Sequence, residues 1–126
     1  MLCKHAFPNL MKIISAESWE LLSFFEVEPE LQDPKEPWPY TDACYHVKQG
    51  SISLSVAIAP AYRDVRIILS IDGERVYEFT SMGVEDVRYV KEQGIEMLQI
   101  IIDERDSMTL RIKPRIAIEQ KVQMDE

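Results

Sequence analysis

Between residues 44 and 122 the chain alternates apolar and polar side chains in short blocks, each closed by turn residues. In Ile52-Ser53-Leu54-Ser55-Val56-Ala57-Ile58, Ile, Leu, Val and Ile fall on one side and Ser, Ser and Ala on the other. Successive side chains of a strand point to opposite faces, so this period-two pattern predicts a strand with one face on a core. Gln49-Gly50 turns a strand over 44–48 into 52–58, and Pro60-Ala61-Tyr62 leads on to 65–71. Asp72-Gly73 is the clearest hairpin signal, because both of its turn positions favour positive φ; it introduces 75–80. Turns at Met82-Gly83, Gln93-Gly94 and 103–106 introduce strands over 87–91, 95–102 and 108–113, and Pro114 separates the last from 116–122. About eight strands joined by short turns pair mostly with their sequence neighbours. The fold class is therefore mainly β, a β-rich α+β antiparallel meander over 43–122 that forms a sandwich or a curled half-barrel.

Upstream the period changes. Ser15 is placed to cap a helix over 15–25, with Glu17 in the first turn where its charge suits the helix dipole. Trp19, Leu22 and Phe25 recur at helical spacing, Leu21 and Phe24 widen that stripe, and Glu20 and Ser23 stay wet. Residues 25–28 alternatively continue as a short edge strand with the glutamates outward. Residues 29–41 read as a loop, since Pro29, Pro34, Pro37 and Pro39 are four of the seven prolines and such density leaves no ladder. Two strands break the alternation: Ile67-Ile68-Leu69 and Ile100-Ile101-Ile102 are apolar on both faces. That pattern predicts cover on both sides, with Ile68 and Ile101 under the helix or under a second copy of the chain, so a homodimer is compatible with it.

The 126 residues suit one domain, 1–126, with residues 1–14 as an N-terminal segment; Met11 would serve equally well as a start, leaving residues 1–10 as an extension. No apolar run of about 18 residues is present and the first residues lack the profile of a secretory signal, so no membrane span is expected. Cys3 and Cys44 cannot form a disulfide framework; two reduced thiols in a cytoplasmic protein are expected. The net charge of −8 is uneven: residues 17–42 carry eight carboxylates against the single base Lys35. Such a strip repels phosphate backbones, so nucleic acid is not an expected partner, whereas a basic protein is.

Candidate chemistry is thin. Cys3, His5, Cys44 and His46 form two Cys-x-His pairs without finger spacing, so no metal or other cofactor is expected. Asp42, Cys44 and His46 supply the residue types of a thiol nucleophile, but at i, i+2 and i+4 on a strand they line up instead of converging. Carboxylate pairs at 85–86 and 103–106 coincide with predicted turns, where acids bond local backbone. Arg63 and Asp64 read as a surface ion pair. The Tyr45, Tyr62, Tyr77, Phe79 and Tyr89 rings would wall a small-ligand cavity if the sheet curled closed.

Pro37-Trp38-Pro39-Tyr40 holds two aromatics on a stiff backbone, which lose little entropy on binding, or else fold back as a lid over the sheet. The expected partner-binding set is therefore Glu26, Glu28, Glu30, Asp33, Glu36, Trp38 and Tyr40, acting on a basic protein partner without catalysis. In being short, acidic, single-domain and motif-poor, the chain resembles small bacterial stand-alone proteins, among them immunity proteins that neutralise toxins. The likeness is one of character, and it implies a protein-interaction role.

Overall fold

Turn chemistry sets the hairpins. Asp72 and Gly73 take φ of 53° and 83°, and Gln93 and Gly94 take 53° and 80°. Two consecutive left-handed residues match the right-handed twist of the strands they join, which is why such pairs close two-residue hairpins. In a computed structural model that describes residues 13–124, these turns connect one helix and nine strands. The helix α1 is Ser18–Phe25. The strands are β1 (Glu30–Leu31), β2 (Ala43–Gln49), β3 (Ile52–Ala59), β4 (Asp64–Ile71), β5 (Glu74–Ser81), β6 (Asp86–Glu92), β7 (Ile95–Asp103), β8 (Asp106–Arg111) and β9 (Ala117–Val122). Readings of residues 1–12, including those on Cys3 and His5, lie outside the described residues.

The strands form two antiparallel sheets, β1 to β5 in order and β6 to β9 in order, with no closed barrel. The chain crosses between them at Gly83, whose φ is 70°, and Val84, which is fully buried. Across the larger sheet, Tyr45, Val56, Ile67 and Phe79 form one inward row, and Val47, Leu54, Leu69 and Tyr77 form the next. Leu98, Leu110 and Ile118 form the matching row on the smaller sheet. The core lies between these faces, so the fold is a β-rich α+β sandwich.

Four expectations need correction. Helix α1 begins at Ser18 after Glu17, whose N–H donates to Glu20 Oε1 at 2.9 Å; Ser15 does not cap it. Its buried residues are Leu21, Phe24 and Phe25, while Trp19 and Leu22 are 62% and 41% exposed. Phe25 stacks on Tyr45 at 4.5 Å and meets Phe24 edge-on at 4.9 Å, so tertiary packing selects the rotational phase. Secondly, residues 25–28 are not a strand; the short edge strand is β1, which pairs Glu30 with Cys44 and Leu31 with Ala43 inside the proline-rich segment. Two residues between Pro29 and Pro34 suffice for it. Thirdly, Ile68 and Ile101 do not lie under the helix: α1 wedges its aromatics into the core beside β6 and β7. Both isoleucines are half-buried and stand between cross-strand neighbours, Ser55 and Glu78 for Ile68, and Asp86 and Ser107 for Ile101. Finally, the pairing of sequence neighbours stops between β5 and β6, which belong to different sheets.

Ser15 has another task. Its N–H donates to Asp86 Oδ1 at 2.7 Å and its hydroxyl donates to Asp86 Oδ2, while Ala16 N–H donates to Val87 O at 2.8 Å. Asp86 is buried and also accepts from Val87 N–H and Arg88 Nε. Burial pushes its carboxyl pKa up, but the Ser15, Arg88 and Val87 donors outweigh burial and hold it below the ordinary value. A carboxyl depressed in the folded state contributes stability that is present above its unfolded pKa and lost as pH falls through the folded one. Asp86→Asn should therefore cost about 2 kcal/mol at neutral pH. Against wild type, urea midpoints should show the difference shrinking as pH falls below about 4; a constant difference would exclude this role.

Candidate functional site

The proline-rich segment is tied down rather than loose. Gln32 N–H donates to Asp42 O at 2.9 Å, and Asp33 N–H donates to the hydroxyl of buried Thr41 at 3.0 Å, closing the loop at its base. Within it, Lys35 N–H donates to Asp33 Oδ1 at 3.1 Å and Tyr40 N–H donates to Pro37 O at 2.8 Å. Ala61 N–H reaches Pro39 O at 3.2 Å, which joins the loop to the β3–β4 turn. The Trp38–Pro39 peptide is cis.

This arrangement divides the expected partner-binding residues. Asp33, Glu36 and Tyr40 line one open hollow of about 590 Å³, together with Asp42, Tyr62 and Asp64. Glu26, Glu28, Glu30 and Trp38 do not line it. Glu26 ends α1 in the left-handed conformation, and its carboxylate pairs with Lys113 Nζ. Glu28 is exposed, and Glu30 Oε1 lies 3.5 Å from His46 Nε2. Trp38 packs half-buried against the core, the lid-like placement, while Tyr40 is exposed.

Sequence reasoning missed Asp42, Tyr62 and Asp64 as members of this surface. The Arg63–Asp64 ion pair is absent among the described residues; Asp64 Oδ1 instead accepts Gly83 N–H at 3.0 Å, and Arg63 stands in a left-handed turn with φ of 58°. Only the long-range Ala61–Pro39 bond and the strand register bring these residues to the loop, and neither leaves a local pattern.

The other candidate chemistry is not assembled. Cys44 and His46 both stand on the outer face of β2, but the imidazole engages Ser55 Oγ at 2.9 Å and Glu30 instead of the thiol. Burial, then the Asp42 and Glu30 carboxylates, push the Cys44 pKa up against a smaller opposite pull from Arg66. An activated thiol needs the reverse. No group of three or more His, Cys, Asp or Glu among the described residues is placed to hold a metal ion. The five rings suggested as cavity walls are dispersed: Tyr45 is in the core, Tyr62 is on the surface, Tyr77 and Phe79 pack on the core edge, and Tyr89 donates to Glu96. No helix among the described residues is long and apolar enough to cross a membrane.

Comparison with known proteins yields a fold. No family model matches the chain, and no curated protein matches it. Among solved structures it resembles a chain of the contact-dependent growth inhibition toxin–immunity protein complex from Klebsiella pneumoniae 342. The TM-score is 0.70 at 19% identity, covering 84% of this chain and 93% of that one.

The raised thiol pKa is testable. In a Cys3→Ser background, Cys44 should react with iodoacetamide more slowly than free cysteine at the same neutral pH, and Asp42→Asn should speed it. A rate above that of free cysteine would restore a nucleophilic role.

Proposed function

We propose that this chain is a non-enzymatic protein-interaction module of the immunity type, which holds a basic protein partner against the acidic surface of residues 32–42. The observation that carries the reading is the convergence of Asp33, Glu36, Asp42 and Asp64 with the exposed Tyr40 and Tyr62 rings on one hollow. Like charges gathered on one surface accelerate encounter with an opposite charge, and exposed aromatics supply contact area at low entropic cost. The fold shared with a chain of a toxin–immunity complex supports a protein partner, and on this reading the chain corresponds to the inhibitory member. A cytoplasmic location fits a module whose thiol is kept reduced. Glu28 and Glu30 add to the long-range field, and Trp38 holds the loop on the core instead of contacting the partner.

The test separates these roles. Trp38→Ala should cost roughly 2 kcal/mol of stability, because it removes a ring packed on the core. Tyr40→Ala should change stability by less than about 0.5 kcal/mol, as exposed positions do. Immobilised wild-type protein should retain a basic protein from lysate at low salt and release it at high salt, while the Asp33→Asn/Glu36→Gln/Tyr40→Ala variant should retain little of it. Equal retention by both proteins, unaffected by salt, would exclude the acidic surface.

A further inference from the structure

We propose that the partner's basic segment docks in a groove on the outer face of the five-stranded sheet, with a cationic side chain seated between Asp42 and Asp64 over Ala59. The inference rests on the protein-interaction reading above and specifies where on that surface the contact is centred, which is the edge where the proline-rich loop meets the sheet.

Strand alternation builds the groove. On β3 the inward residues Val56 and Ile58 are buried in the core, which turns Ala57 and Ala59 outward. On β4 the same alternation turns Asp64 and Arg66 outward, and the register sets Ala59 opposite Asp64 and Ala57 opposite Arg66. Asp42 precedes β2, one step beyond the Ala43–Ile58 pair, and so stands on the other side of Ala59. Two strand spacings, about 10 Å between backbones, therefore separate the carboxylate-bearing positions, with only a methyl group rising between them. The resulting hollow of about 190 Å³ is floored by Ala57 and Ala59 and bordered by Thr80 and Met82. It adjoins the hollow beside the loop through the shared residues Asp42, Ala59 and Asp64.

Three observations select the occupant. The two hollows are lined by four carboxylates against one base, Arg66, and no ion pair among the described residues joins Arg66 to Asp42 or Asp64. Asp42 Oδ1 is closed off from solvent and has no hydrogen-bond partner. No ion pair among the described residues neutralises this half-buried carboxylate, which lines both hollows, so a partner's cation on its open side would meet a charge that the chain leaves uncompensated. The rim carries large side chains left in solvent: Tyr40, Tyr62 and Met82 are 54%, 70% and 77% exposed. Aromatic and methionine side chains are enriched where protein surfaces meet.

The experiment titrates the ¹⁵N-labelled full chain with a hexa-arginine peptide at low salt, with hexacitrulline as the uncharged control of the same shape. Hexa-arginine should shift the Ala57, Ala59 and Asp64 amides, and hexacitrulline should not. Asp42→Asn and Asp64→Asn should each weaken the arginine peptide by roughly two- to fivefold, the scale of one ion pair. Arg66→Gln should tighten binding, and Glu28→Gln/Glu30→Gln, which removes only long-range field, should weaken it less than either groove variant does. Melting temperatures of all variants guard against misfolding, and Tyr62→Ala, at an exposed position, gives a second route to weakened binding. Shifts confined to residues 26–36 and insensitive to Asp42→Asn would overturn the groove while leaving the acidic-surface reading intact. No shift anywhere with hexa-arginine would overturn both.

Discussion

Two short antiparallel sheets that do not close into a barrel leave their core open along both flanks, and the structure depends on how the first flank is sealed. Helix α1 does this with Leu21, Phe24 and Phe25, reaching Tyr45 of one sheet while lying beside β6 and β7 of the other. Eight residues are too few to hold a helix in water without tertiary support. That support is polar as well as apolar: the Ser15–Asp86 and Ala16–Val87 bonds fix its entry, Ser23 donates to Glu96, and Glu26 pairs with Lys113 at its end. Glu96 also accepts from Tyr89, so one carboxylate links the helix to both β6 and β7. The Ser23–Glu96 and Glu26–Lys113 pairs are exposed and contribute little each. Asp86 is buried, which makes its donors the constraint with the largest consequence.

Most of the sheet architecture was legible because its signals are local. Alternation within β3 and glycine at the second turn position of the β4–β5 and β6–β7 hairpins need no knowledge of distant residues. What escaped was what distant contacts decide. The apolar residues of α1 allow two overlapping stripes that share Phe25, and only the stack on Tyr45 chooses between them. Strand β1 is two residues long and exists because β2 offers it an edge. Runs such as Ile100-Ile101-Ile102 carry no label for the buried face; Ile101 rests among strand neighbours, without a helix over it. The site divides in the same way. Asp33, Glu36 and Tyr40 stand out by composition within the proline-rich segment, whereas Asp42 and Asp64 become neighbours only through the register of β2, β3 and β4.

The electrostatics of the sheet's outer face also connect two readings that the sequence kept apart. Burial is the largest cost of forming a thiolate at Cys44, and two carboxylates add to it: Asp42, two residues before it, and Glu30, across from it in the β1–β2 ladder. Arg66 opposes this only in part. Burial disfavours a charge of either sign, but the carboxylate part of the shift opposes a negative charge and favours a positive one, so that part is shared with what a cationic guest requires. The direction of the Cys44 shift weighs against an activated thiol on this face, and its carboxylate part is compatible with a cationic guest there.

Asp42 makes the same point from the side of stability. A folded chain gains nothing from enclosing a carboxylate oxygen without a donor, and Asn or Ser at that position would do less harm to the folded state. The neighbouring polar groups show that this sequence can satisfy such atoms: Thr41 receives the Asp33 N–H, and Asp64 receives that of Gly83. Bonding is thus in place around Asp42, including at its own carbonyl, and missing at its Oδ1. Sites that break a local rule amid satisfied neighbours are where a protein accepts instability for function. On the proposed reading the partner's cation meets this carboxylate from its open side, so a charge that the chain leaves without an ion pair adds to affinity instead of to folding.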